Sequence, residues 1–97
     1  MQTLDINTLE WFDKVNGNTY FASRITINYG LETEKEFINP FQYGYSSQSE
    51  VQAVNTLKAN GVLPNEFKGW LNEYCKNNNI ILRINKRNGL KRELKNI

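Results

Sequence analysis

Residues 16–29 read NGNTYFASRITINY, and the architecture depends on how this stretch is taken. Asn16-Gly17 is the dipeptide favoured in two-residue type I′ turns, where both central residues take positive φ. Beyond it, Thr19, Phe21, Ser23, Ile25, Ile27 and Tyr29 alternate with Tyr20, Ala22, Arg24, Thr26 and Asn28. That is the period-two pattern of a strand, with the first set facing a core. The turn therefore predicts a hairpin whose first arm spans Leu9 to Val15. Trp11 and Phe12 are adjacent on that arm and point to opposite faces.

Working outward, Leu4 and Ile6 suggest a short opening strand, and the acidic LETEKE (31–36) forms a solvated hairpin end. A third strand runs from Phe37 and Ile38 toward Tyr45. Pro40 lacks the N–H that a ladder needs, which makes this an edge strand or a bulged one. Ser47 to Glu50, SQSE, is a capping box that opens a helix lined by Val51, Ala53, Val54 and Leu57 and stopped at Asn60-Gly61. A second helix is expected from near Pro64, with Phe67, Trp70, Leu71, Tyr74 and Cys75 at i, i+3, i+4, i+7 and i+8 as its buried stripe. After Asn77-Asn78-Asn79, the alternation of Ile80, Leu82 and Ile84 predicts a strand. Asn88-Gly89 signals a second hairpin, leading to a last strand around Leu90 to Leu94. The expected fold class is α+β: an antiparallel sheet from N-terminal hairpins, two helices on one face and a C-terminal β-hairpin, all in a single domain, 1–97.

A chain of 97 residues buries only roughly 60 to 65% of its unfolded surface, so its core must be compact. Aromatics make up 12% of the sequence, enough to build that core from large rings. No apolar run approaches the roughly 20 residues of a bilayer-spanning helix, and MQTLDINTLE lacks the basic start of a signal peptide. The expected location is the cytoplasm in which the chain is made, with no membrane partner. The lone Cys75 has no internal disulfide partner, which fits a reducing compartment.

Catalytic chemistry finds little to use. With no histidine, the commonest general base and metal ligand is missing, and no catalytic residue, metal site or cofactor is expected. Cys75 lies on an apolar stripe, where a thiol behaves as a small hydrophobe. Glu32, Glu34 and Glu36 read as a solvated face. VNGN and RNGL each hold one glycine in a turn context, and neither leads from a strand into a helix as a phosphate-binding loop does.

Two features remain. In PFQYGYSSQSE (40–50) the rings of Phe41, Tyr43 and Tyr45 alternate. They suit either a floor beneath the helices or a platform on which unpaired bases stack. The helix that follows favours burial of Phe41 and at least one tyrosine, and Gly44 then allows close approach or a bulge. Tyr20, Tyr43 and Tyr45 are the rings least tied to the core and are candidates for partner contact. The second feature is charge: the net value is +2, but from Ile80 onward six basic residues face only Glu93. Arg83, Lys86, Arg87, Lys91, Arg92 and Lys95 would meet phosphates or an acidic protein surface, or would guard an edge against aggregation. The first five join the tyrosines as candidate partner-binding residues.

The string WFDKVNGNTYFASRITI, followed by PFQYGY and an amphipathic helix, resembles small accessory proteins of bacteriophages and related mobile elements over residues 10–60. The resemblance implies a setting and no specific residue. Such viral proteins often bind host machinery, including defence nucleases such as CRISPR effectors. The expected function is a non-enzymatic, anti-CRISPR-like inhibitor that occludes a host protein or nucleoprotein complex. The alternative is a small nucleic-acid-binding module that uses the basic C-terminal hairpin.

Overall fold

The structure, a computed structural model, describes residues 1–44 and 46–97, with Ser46 and Ser47 as backbone alone. Tyr45 and the Ser47 side chain of the expected capping box lie outside the described residues. The fold is α+β, with strands β1 (Thr3–Asp13), β2 (Asn18–Ile27), β3 (Lys35–Tyr43) and β4 (Ile81–Asn88). The helices among the described residues are α1 (Ser46–Ala59), α2 (Leu71–Asn77) and α3 (Lys91–Lys95). The strand order is β3-β2-β1-β4, in which β2 runs antiparallel to both neighbours and β4 runs parallel to β1. The sheet is thus mixed, and the expected C-terminal hairpin is corrected to a strand followed by a short helix. The two segments predicted near Leu4 and near Leu9 are one continuous strand.

The first hairpin forms around Asn16-Gly17 as expected, but by a different turn. Asp13 and Asn18 are the last pair, and only Gly17 of the dipeptide has positive φ, +69°. Its N–H donates to the Asp13 carbonyl at 2.8 Å. The Asp13 carboxylate accepts from Val15 N at 3.0 Å, Asn16 N at 3.3 Å and Asn16 Nδ2 at 2.8 Å. The Asn16 side-chain bond leads the causes that hold this carboxyl below the usual range. A β-branched residue is strained in the left-handed region, so Gly17→Val is expected to cost ~1–2 kcal/mol, read as a lowered urea midpoint. An unchanged midpoint would show that the loop re-forms without its left-handed residue. Gly89, by contrast, is not among the positive-φ glycines. A Cβ there would stand 3.3 Å from Leu94 Cδ1 of α3, a tight contact that Leu94 would have to give way to.

Alternation along each strand gives the sheet two unlike faces. The inner face carries Leu4, Ile6, Ile25 and Ile27, packed against Ala53 and Leu57 of α1, Leu63, and Leu71 and Cys75 of α2. Burial pushes the Cys75 thiol up, in keeping with its core position. Thr8 and Ser23 share a buried hydroxyl–hydroxyl hydrogen bond of 2.9 Å on the same face, and Thr56 of α1 donates to Asn39 of β3 at 2.6 Å. The β2 alternation holds as far as Ile27. Tyr29 is exposed, because Asn28 takes φ +55° and ends the strand. The Asn28 Oδ1 accepts from Gln2 N at 2.6 Å and its Nδ2 donates to Thr33 at 2.9 Å.

Both helices depart from the expected stripes. Val51 is exposed because six residues at 3.6 per turn place it about 120° around the helix from Leu57. Phe67 and Trp70 precede α2, since Gly69 at φ +110° interrupts any helix from Pro64. Trp70 caps α2 with extended backbone and is 74% exposed. Phe67 instead meets Tyr74 edge-on at 5.2 Å.

Pro40 has the largest effect on the outer face. As expected, it sits on an edge strand, and the β2–β3 pairing shifts register between Phe21 and Ser23. Phe37 and Asn39 pair with the inward Ile25 and Ser23, whereas Tyr43 pairs with the outward Tyr20. One extra residue at a bulge reverses the side of everything after it. Phe41 and Tyr43 therefore leave the face under α1, which corrects the expected place of Phe41 beneath the two helices and leaves Tyr43 exposed, as its candidacy for partner contact required. Gly44 has the close approach foreseen for it: a Cβ there would lie 3.0 Å from the Phe21 ring.

Candidate functional site

The outer face is built from alternate residues of β1, β2 and β3. Trp11 stands opposite Tyr20, and Tyr20 opposite Tyr43. Trp11 stacks on Tyr20 with centroids 5.6 Å apart, and Tyr20 stacks nearly parallel on Phe41 at 4.9 Å. Tyr43 meets Tyr20 edge-on at 5.7 Å. Pairs of this kind are worth about 0.5–1.5 kcal/mol beyond burial, so the rings form a rigid row. Trp11, Tyr20 and Phe41 are half-buried, while Tyr43 at the end of the row is 65% exposed.

The five-residue helix α3 lies across this face. Leu94, fully buried, packs on Leu9 and Ala22. Glu93 accepts from Leu90 N at 2.9 Å and closes the first turn. Lys91 Nζ lies 5.6 Å from the Trp11 ring centroid, and Lys95 Nζ lies 5.6 Å from that of Phe41. The helix thus sets two ammonium groups over the aromatic row, while Glu93, Asn96 and Ile97 border a cleft of about 410 Å³. Asn7, Leu9, Arg24, Asn85 and Arg87 also line it. Arg24 of β2 pairs with Asn7 of β1, which pairs with Asn85 of β4.

The sequence-derived candidates divide between these features. Tyr20 and Tyr43 share the aromatic row, joined by Lys91; Tyr45 is outside the described residues. Arg87 lines the cleft. Arg83 is tied to Asp5 by two hydrogen bonds of 2.6 and 3.0 Å, which hold its guanidinium still more firmly protonated than usual. Lys86 pairs in register with the inward Thr8 and belongs to the other face. Arg92 is exposed on α3. The six cations therefore do not form one patch, because a strand alternates its side chains and a helix spreads them.

Sequence reasoning missed Trp11 as a partner of Tyr20, and Asn7, Arg24 and Asn85 as neighbours. The hairpin register was the available signal, since counting back from Asp13 and Asn18 pairs Trp11 with Tyr20 and Asn7 with Arg24. Among the described residues, no three His, Cys, Asp or Glu side chains gather as a metal site. There, too, no helix is long and apolar enough to cross a membrane. No family model, curated protein or solved structure matches the chain.

Proposed function

We propose that the chain is a non-enzymatic binding protein of a phage or related mobile element that occludes a surface of a host protein or nucleoprotein complex. A defence complex is the setting implied by its resemblance to phage accessory proteins. The observation that carries this reading is the outer face, where a rigid row of rings ending in exposed Tyr43 lies beside Lys91 and Lys95. Pre-ordered aromatics dominate protein interfaces because little side-chain entropy is lost when they are covered. The cations around them steer an acidic partner surface.

Expressed in a host with an active CRISPR defence, the protein is expected to restore plating of a targeted phage. Tyr43→Ala should weaken the underlying complex by about 2 kcal/mol, roughly 30-fold in affinity, while the loss of its contact with Tyr20 lowers the melting temperature by only several degrees. Failure to protect the phage, with no complex formed with the purified defence effector, would refute this reading.

A second reading, a nucleic-acid-binding module, is favoured by the same ring row on a sheet face flanked by cations. Bases stack on such platforms while Lys and Arg contact phosphates. The two readings separate on salt, because counterion release makes nucleic-acid affinity fall steeply between ~50 and 200 mM.

A further inference from the structure

We infer that the cleft between α3 and the sheet binds one phosphorylated nucleotide unit of a single-stranded nucleic acid, an inference that rests on the nucleic-acid reading of the outer face. The cleft volume of about 410 Å³ falls within the roughly 300–1,000 Å³ of small-molecule sites. Its lining is mixed: Asn7, Asn85 and Arg87 supply polar groups, and Leu9 and Ile97 supply apolar surface against which a base can lie.

Charge places the phosphate. Arg24 is held by Glu36 at 3.5 Å and by the Ile97 carbonyl at 2.8 Å. The Glu93 carboxylate on the α3 wall accepts from the Leu90 N–H, and its negative charge directs an anion to the sheet side of the cleft. Arg87 has no ion pair or side-chain hydrogen bond among the described residues, so its planar fork is free to hold a phosphate.

The amides place the base. Asn85 Nδ2 donates to Asn7 Oδ1 at 3.3 Å, and the Asn7 Nδ2 donor and the Asn85 Oδ1 acceptor have no further partner among the described residues, on paired positions of neighbouring strands. A donor beside an acceptor matches a nucleobase edge such as N7 and N6 of adenine. Arg24 pairs with Asn7 and Arg87 with Leu9, so the two arginines stand two strands apart across the sheet and two residues apart along it, roughly 12 Å in all. That spacing accommodates a nucleotide laid from Arg87 across the amide pair toward Arg24. Nucleotides on the far side of α3 would continue over Lys91 and Lys95 onto the Tyr20 and Tyr43 rings.

The test titrates the intact protein, followed by backbone amide NMR, with adenosine 5′-monophosphate, adenosine, inorganic phosphate, a hexaglutamate peptide and a short single-stranded oligonucleotide. The monophosphate is expected to shift the amides of Asn7, Asn85 and Arg87 and to bind about tenfold more tightly than adenosine or phosphate alone. Arg87→Gln and Asn7→Ala should each weaken it about tenfold while leaving the thermal melt unchanged, since both side chains are exposed. Oligonucleotide binding that is equal in wild type and both variants would overturn the cleft assignment and leave the nucleic-acid reading standing. Absence of any nucleotide or oligonucleotide binding at ~50 mM salt would remove both. Hexaglutamate binding at the same amides more tightly than the monophosphate would reassign the cleft to a protein carboxylate.

Discussion

Phe21→Ala is expected to lower the unfolding free energy by ~3–5 kcal/mol, close to the entire stability of a small domain. Phe21 is the largest of the fully buried side chains, and its ring fills the space left by Gly44. Removing it opens a cavity between β2 and the start of α1 that the surrounding backbone has little freedom to close. Trp70→Ala makes the informative contrast. As a member of a buried stripe, Trp70 would cost as much as Phe21, but at 74% exposed it should cost under about 0.5 kcal/mol. Chemical denaturation of the two variants side by side checks both values. Equal losses would place Trp70 back in a core and contradict the packing described above.

Leu94→Ala is expected to have the second largest effect, ~2–5 kcal/mol for a fully buried leucine, and to release α3 from the outer face. Leu94 is the buried residue of this five-residue helix, too short to persist in water without tertiary support. Hydrogen exchange should therefore show lost protection from Leu90 to Asn96 and greater exposure of Trp11 and Phe41, which Lys91 and Lys95 now overlie. Preserved protection across α3 would mean that the helix is held by its polar contacts, chiefly Glu93 to Leu90 and Arg24 to Ile97. The variant also probes function, because it removes the α3 wall of the cleft while leaving the aromatic row in place.

Much of the architecture was legible because periodicity is a local property. The alternation through Ile27, the Asn60-Gly61 stop, with Gly61 at φ +72°, and the edge position of β3 all follow from residues within a few positions of each other. What failed depended on partners distant in sequence or on a single interrupting residue. Gly69 ended the apparent stripe from Phe67 to Cys75. Asn88-Gly89 resembled a turn, yet what meets Gly89 is the Leu94 side chain of α3, 3.3 Å from where a Cβ would stand, and no pattern within β4 specified a parallel place beside β1. The ring row was hidden by one bulge: Pro40 announced it, but the reversal of Phe41 and Tyr43 emerges only when β3 is paired against β2. The cleft was less legible still, since asparagines at positions 7 and 85 become neighbours only through the β1–β4 pairing.

That pairing also fixes the order in which the molecule is completed. β1 and β2 are joined by a tight turn and β3 follows at once, so these three strands can zip together from local contacts, which form early. The fourth joins Thr3 to Ile81 and Glu10 to Asn88, a loop closure across 78 positions that follows the local contacts. Until then the open side of β1 is a bare template of backbone donors and acceptors. On this route the folding chain is most exposed to mispairing just before its cationic strand and α3 dock, and that one step closes the sheet and creates the cleft together.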